Sequence, residues 1–216
     1  MAKPERAAGR RFDRDHGVTT HAIAFLTDLD PDSSGDAAAH ATHYEAVPVA
    51  AFRRLMAEVP DAVIRASAFV DAGAGMGRAV MLASEYAFER IVGIEISPAL
   101  VQIARENLVK ARDLATRCRD VRLVRADARR YRYPNGNLVL FLYNPFDGEA
   151  LDDVLDRLSE RPGAAGEWIL YYTPVHPARL QTRGYELVAT LPETHIYRKN
   201  PETPDFSQIE ETRPEV

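Results

Sequence analysis

A short run of this sequence sets carboxylates and glycines at spacings that chemistry can use. In "FVDAGAGMGRAV", Asp71 closes the apolar pair Phe69–Val70, and Gly73, Gly75 and Gly77 follow at every second position. Glycine behind a strand costs backbone entropy, so something must come close to that backbone. The dinucleotide fingerprint G-x-G-x-x-G needs its third glycine one place later, where Arg78 stands. A pyrophosphate wants the turn delivered onto a helix N-terminus. The Asp71 carboxylate ahead of this turn repels such a group and suits an ammonium. Glu95 ends a second apolar run in "GIEIS", where a carboxylate accepts hydrogen bonds from both hydroxyls of a ribose. Asp127, in "RADAR", follows a third run, where a side chain meets an adenine edge. Taken singly, Asp71 and Glu95 also read as capping or surface residues, and the glycines as a plain strand-to-helix turn.

A second group of polar and aromatic residues lies elsewhere. "FLYNPFDGE" closes a fourth apolar run with Asn144, Pro145 and Phe146. The Asn144 side-chain carbonyl and the Pro145 backbone carbonyl can both orient an attacking N–H; the pair also reads as an ordinary Asn-Pro turn. "HATHYEAVP" carries His40, His43, Tyr44 and Glu45. The two histidines lack a nearby third ligand, so no metal site is expected; either remains open as a general base or a surface residue. Tyr171 and Tyr172 end a fifth run, and one of them lines a pocket there. Trp168, at the start of that run, reads as core. "GRRFDRDHGVTT" leaves several readings open: Arg10, Arg11 and Arg14 bind an anionic partner, or the segment packs over the crevice, or it frays.

These residues need elements to hold them. "AVPVAAFRRLMAEV" has apolar residues at helical spacing. "SAFVDA", "RIVGIEI", "VRLVRA", "NLVLFLYN" and "EWILYYT" read as buried strands. "GRAVMLASEYAF" reads as a helix between the first two. "SPALVQIARENLVKARDLATR" opens with an N-cap serine and a proline at the first helical position, and its apolar stripe runs Leu100, Ala104, Leu108, Ala111, Ala115. "DGEALDDVLDRLSER" is a helix capped by Asp147 and closed by Pro162 and Gly163. "YELVATL" and "THIYRK" leave no room for a helix between them and pair antiparallel. Strands alternating with helices give a parallel sheet covered on both faces, which binds ligands outside the carboxyl ends of its strands.

A ribose, an adenine and an amino acid without a diphosphate describe S-adenosylmethionine. The blocks "VDAGAGMG", "GIEIS", "RADA" and "FLYNPF", in that order between Tyr44 and Lys199, resemble the class I (Rossmann-like) S-adenosylmethionine-dependent methyltransferases. The resemblance implies an α/β fold. Its core is a seven-stranded, mostly parallel sheet with helices on both faces, an antiparallel last strand and a small N-terminal helical cap. It implies S-adenosylmethionine as cofactor, with S-adenosylhomocysteine as product. Asp71, Gly73 and Gly75, with Ala74 and Gly77 in the same turn, would border the methionine end. Glu95 would hold the ribose, Asp127 and Ala128 would border the adenine, and Ile96 would pack on its ring. Asn144, Pro145 and Phe146 would face the transferred methyl. "Asn-Pro-Phe" is similar to the Asn-Pro-Pro-aromatic motif of amino methyltransferases acting on adenine or glutamine, with one proline fewer. Tyr44 and Glu45 resemble the segment that folds over the cofactor in lysine methyltransferases of this fold, with Tyr44 also near the target channel.

Composition bounds the rest. The chain has 216 residues, 46% of them hydrophobic, and a net charge of −5. No apolar run approaches the ~20 residues of a membrane span. The N-terminus lacks the apolar centre of a secretion signal. The single cysteine, Cys118, reads as a small side chain on a helix and supplies no disulfide framework. These features lead us to expect a cytoplasmic protein. Residues 103–132 hold ten basic and four acidic side chains, a surplus of six that leaves −11 for the remainder. That stripe reads as a solvated helix face or as a surface for an anionic partner.

We therefore expect three parts: an arm and helical cap over 1–65, a cofactor-binding core over 66–199, and an acidic mobile tail over 200–216, pinned if at all through Phe206 and Ile209. The expected function is methyl transfer to an unidentified acceptor, with a nitrogen on a protein side chain or small molecule favoured and an RNA or DNA base as the alternative. A nicotinamide-dinucleotide oxidoreductase and a non-catalytic cofactor-binding module are the other classes. Oligomeric state is not legible.

Overall fold

The computed structural model describes residues 3–21, 23–24, 44–111, 114–143, 146–161 and 164–199. The loop expected over 28–36, His40, His43, Asn144, Pro145, the helix closure at Pro162 and Gly163, and the tail from Asn200 lie outside the described residues.

In chain order the elements are α1 (Lys3–His16), β1 (Ile23–Ala24), β2 (Tyr44–Glu45), α2 (Val49–Ala57), α3 (Asp61–Arg65), β3 (Ser67–Ala72), α4 (Arg78–Ala83), β4 (Arg90–Glu95), α5 (Pro98–Lys110), β5 (Val121–Arg125), β6 (Gly136–Tyr143), α6 (Gly148–Ser159), β7 (Ala164–Tyr172), α7 (Pro177–Gln181), β8 (Glu186–Leu191) and β9 (Thr194–Lys199). The seven long strands form one sheet in the order β5-β4-β3-β6-β7-β9-β8. Neighbours from β5 through β7 are parallel, and β9 runs antiparallel to both β7 and β8. This is the mostly parallel sheet with an antiparallel last strand that the alternating pattern predicts. Strand order reverses between β3 and β6, so a crevice opens at the carboxyl end of β3.

Both faces of the sheet are covered. On one, Phe52 of α2 meets Phe69 of β3 and Phe141 of β6 edge-on, at ring-centroid distances of 6.0 and 5.4 Å. On the other, Val70, Leu140 and Leu142 pack against Leu151, Val154 and Leu155 of α6. Alternation along β3 sends Phe69 and Val70 to opposite faces, which is why successive residues there are apolar. Among the described residues, no helix is long and apolar enough to cross a membrane.

Two sequence expectations changed. The helix opening at Ser97 stops at Lys110 rather than running on through Ala115, which is exposed. Beyond it Leu114 and Cys118 enter the core, and the Arg117 amide donates to the Ser84 carbonyl at 2.7 Å. Tertiary burial overrides a helical pattern there, and Cys118 stands in this irregular connection, not on a helix. The N-terminal segment, for which the sequence left several readings open, forms a helix, α1, with Phe12 buried.

Candidate functional site

The crevice at the end of β3 is built from backbone. Gly75 has φ of +53° and Gly77 of +86°. A side chain is strained at such angles. A Cβ on Gly77 would also lie 3.2 Å from the Ala104 methyl of α5. The turn is fixed to β4, because the Gly73 and Ala74 amides both donate to the Ile94 carbonyl, at 2.9 and 2.8 Å.

Glu95 organises the floor. Its Oε2 accepts from the Gly75 amide at 2.8 Å and its Oε1 from the Ser97 amide at 2.9 Å. A carboxylate has about four acceptor positions, so acceptor capacity remains for a ligand's hydroxyl. Burial raises the Glu95 pKa, and the backbone hydrogen bonds to Ser97, Gly75 and Ile96 oppose that rise. Ser97 also caps α5, its hydroxyl accepting from the Leu100 amide. Asp71 is buried, and no hydrogen bond or ion pair to its carboxylate occurs among the described residues. Burial, with the nearby Glu95 charge second, pushes its pKa up to about 8. A buried carboxylate without a partner is costly unless a cation arrives.

Asp127, the residue expected at an adenine edge, also has a partner within the chain. It takes Arg129 in a forked pair, with Nη2 at 2.9 Å from Oδ2 and the backbone amide at 3.0 Å from Oδ1. Burial works against its charge, but the Arg129 hydrogen bonds hold its pKa below the usual value. Ala128 is buried beside it, its carbonyl accepting from the Tyr133 hydroxyl at 3.0 Å. Ile96 is half-buried between Glu95 and Ser97, an apolar surface next to the Glu95 carboxylate.

At the ends of β6 and β7 a second wall stands. Tyr143 and Tyr172 are neighbours across the two strands, edge to face at 4.7 Å. The Tyr143 hydroxyl donates to Glu45 at 3.1 Å, and the Tyr172 hydroxyl to Glu193 at 2.9 Å. Burial, then the charge of Glu45, raises the Tyr143 pKa; burial, then the hydrogen bond and charge of Glu193, raises that of Tyr172, with Glu5 and Glu45 adding to it. Of the two tyrosines ending β7, Tyr172 joins this wall, while Tyr171 is buried on the opposite face. Tyr44 pairs with Ala24 in the β1–β2 ribbon. Phe146 packs against the α6 side of the core.

Sequence reasoning missed three residues here: Asp13, Arg78 and Asn107. All join the N-terminal segment to the glycine turn, and Arg78 and Asn107 are 1% exposed. Arg78 was visible as the departure from the dinucleotide fingerprint, which was the available signal.

The cofactor fits this construction. Asp71 offers a partner for an ammonium, Glu95 retains acceptor positions, and the turn has no Cβ where a ligand must approach.

Residues 70–146 match the family model of a methyltransferase domain. No curated protein matches the chain in sequence. Among solved structures, the chain is similar to methyltransferase yhhF of Escherichia coli, a candidate of that activity, with 19% identity over 79% of this chain and 89% of that one and a TM-score of 0.53. It is similar to PH1948 of Pyrococcus horikoshii, a candidate RNA methyltransferase, with 15% identity over 71% and 84% and a TM-score of 0.51. The PH0226 protein of Pyrococcus horikoshii OT3 aligns at 15% identity over 82% and 96%, with a TM-score of 0.53. At these identities the likeness is one of fold.

Proposed function

We propose that the chain is a class I, S-adenosylmethionine-dependent methyltransferase, and that it methylates a basic nitrogen on a protein side chain or small molecule. The observation that carries this reading is the wall at the ends of β6 and β7, where Tyr143 and Tyr172 donate to Glu45 and Glu193. Aromatic faces backed by carboxylates attract an ammonium. Of the described non-glycine residues, Thr173 and Glu193 alone have left-handed backbone, with φ of 47° and 59°, and both belong to this wall. Such strain, of order 1–3 kcal/mol each, persists where the surroundings enforce it and gathers at functional sites.

Asp71 and the turn from Gly73 to Gly77 would hold the methionine end, Glu95 the ribose, and Ile96, Asp127 and Ala128 the adenine. Bound there, the cofactor supplies an activated methyl on a sulfonium. The chain's own task is alignment and exclusion of water. Glu45 and Glu193 would draw in the protonated amine, which gives a proton to solvent as it enters. Its lone pair can then bond the methyl carbon as the carbon–sulfur bond breaks and S-adenosylhomocysteine leaves. Asn144 and Pro145 then orient the remaining N–H by their carbonyl oxygens. Tyr44 and Phe146 would complete the acceptor site.

An RNA acceptor is the second reading, supported by exposed Arg125, Arg130 and Arg132 on and just after β5. Extracts incubated with the chain and a methyl-labelled cofactor separate the two. Label resistant to nuclease supports an amine acceptor, and label released by nuclease supports RNA. Asn144→Ala should spare cofactor binding and abolish turnover. Full activity in that variant removes Asn144 from the reacting end.

A further inference from the structure

The N-terminal segment is fastened to the glycine turn by two buried side chains. Asp13 of α1 accepts from the Thr20 amide at 2.8 Å, the His21 amide at 2.7 Å and the Thr20 hydroxyl at 2.5 Å. It also pairs with Nη2 of Arg78, the residue directly after Gly77, at 3.2 Å. Arg78 Nε donates to the Thr20 hydroxyl oxygen at 2.7 Å, and the guanidinium lies 5.7 Å from the centre of the Phe12 ring. The fit is close: a Cβ on Gly9 of α1 would come within 2.8 Å of His21 Nδ1 and 3.1 Å of Arg78 Nη1.

Asn107 of α5 makes the second tie. Its Nδ2 donates both to the Thr19 carbonyl at 2.8 Å and to the Met76 carbonyl, inside the turn, at 2.9 Å. Its Oδ1 accepts from the Thr19 amide at 2.9 Å. One side-chain amide therefore joins the N-terminal segment to the turn and uses both of its N–H groups in doing so.

If residues 3–21 lifted away, Arg78 would lose its counter-charge and Asn107 two of its three hydrogen bonds. A buried charge or amide left unpaired rearranges or draws in water. Either response moves the backbone at Met76 and Gly77, where the turn must keep its left-handed glycine geometry. We infer that residues 3–21 and the cofactor turn are one coupled unit, with Arg78 and Asn107 as the positioning residues between them. Docking of the segment raises affinity for the cofactor, and cofactor binding holds the segment down by the same factor. This inference rests on the cofactor reading above.

Hydrogen exchange on the native full-length chain, with and without S-adenosylhomocysteine, tests it. The Val18, Thr20 and His21 amides should slow at least tenfold on binding, and more than amides of the β8–β9 pair, which serves as internal reference. Calorimetric titration should show Arg78→Met and Asn107→Leu binding S-adenosylhomocysteine at least tenfold more weakly, with Arg78→Lys recovering part of the loss. A merely structural role lowers the unfolding temperature without ligand-dependent protection of residues 18–21. Normal binding that leaves those amides unchanged overturns the inference and leaves the cofactor reading standing. No binding to the native chain removes the cofactor reading, and the inference with it. The exchange experiment decides even if a variant does not fold.

Discussion

The amide of Thr173, at the end of β7, donates to the carbonyl of Glu193, in the β8–β9 turn, at 2.6 Å, and both residues hold left-handed backbone. A β-branched residue at positive φ is an outlier. This pairing keeps Glu193 beside Tyr172, whose hydroxyl donates to it. The tyrosine wall is thus held by backbone that would relax elsewhere if it were free to do so.

Glu193→Asn separates strain from charge. Asparagine tolerates the left-handed region better than glutamate, so the variant should match or exceed the native chain in stability, by up to about 1 kcal/mol. With the carboxylate gone, KM for an amine acceptor should rise about tenfold while affinity for S-adenosylhomocysteine holds. An unchanged KM, with the acceptor identified, places the acceptor elsewhere.

Glu95→Ala should lower both cofactor affinity and stability. Two buried backbone amides, Gly75 and Ser97, lose their acceptor. Each unsatisfied group costs about 1–3 kcal/mol. Denaturant titration and ligand calorimetry on the same sample read the two losses. A loss of stability with intact affinity would confine Glu95 to shaping the turn.

Asp71 should make binding pH-dependent. Burial raises its pKa from 3.8 to about 8 in the folded chain. The stability this group contributes is therefore present at acid pH and fades as pH rises from the lower value through the upper one. An incoming ammonium favours the ionised form, so binding below about pH 8 should release up to one proton, and affinity should rise toward that pH. Calorimetry in buffers of different ionisation heat counts the proton, and Asp71→Asn should abolish the release. Binding of the native chain with no proton released would contradict this role.

Arg161 gives a contrasting case remote from the crevice. Its guanidinium is buried and bonds to the Pro134 and Gly136 carbonyls and to Glu167, which also accepts from the Tyr185 hydroxyl. Arg161→Met leaves Glu167 without its counter-charge and should destabilise the chain by about 3–5 kcal/mol. Affinity for S-adenosylhomocysteine at a temperature where the variant is folded should not change. A matching loss of affinity would mean that the sheet transmits this change to the crevice.

Much of the fold was legible because burial on two faces writes itself as unbroken apolar runs, such as Phe69–Val70 and Leu138–Leu142. Ser97 and Asp147 announced their helices because an N-cap needs a short polar acceptor at a fixed place. The N-terminal segment was harder to read. "KPERAAGRRFDRDH" looks solvated, and only Gly9, Phe12 and Asp13, three or four residues apart on one helix face, mark the side that docks. Arg78 and Asn107 escaped because a buried polar side chain is identified by its partners, and those lie 65 and 88 residues away in sequence. The early end of α5 was equally hidden, since Leu114 and Cys118 enter the core without breaking the apolar pattern. The carboxylates and glycines of the crevice were legible because they share one turn and two strand ends. The partnership of Asp127 with Arg129 was also within reach, two residues apart, but adjacency in sequence does not say which partner a carboxylate takes.

Calorimetric titration of the native chain with S-adenosylhomocysteine, alongside NADH, tests the central claim most directly. The account predicts tight, stoichiometric binding of S-adenosylhomocysteine and none of NADH. Binding of NADH alone would contradict it, because the turn after β3 would then be accepting a pyrophosphate beside Asp71.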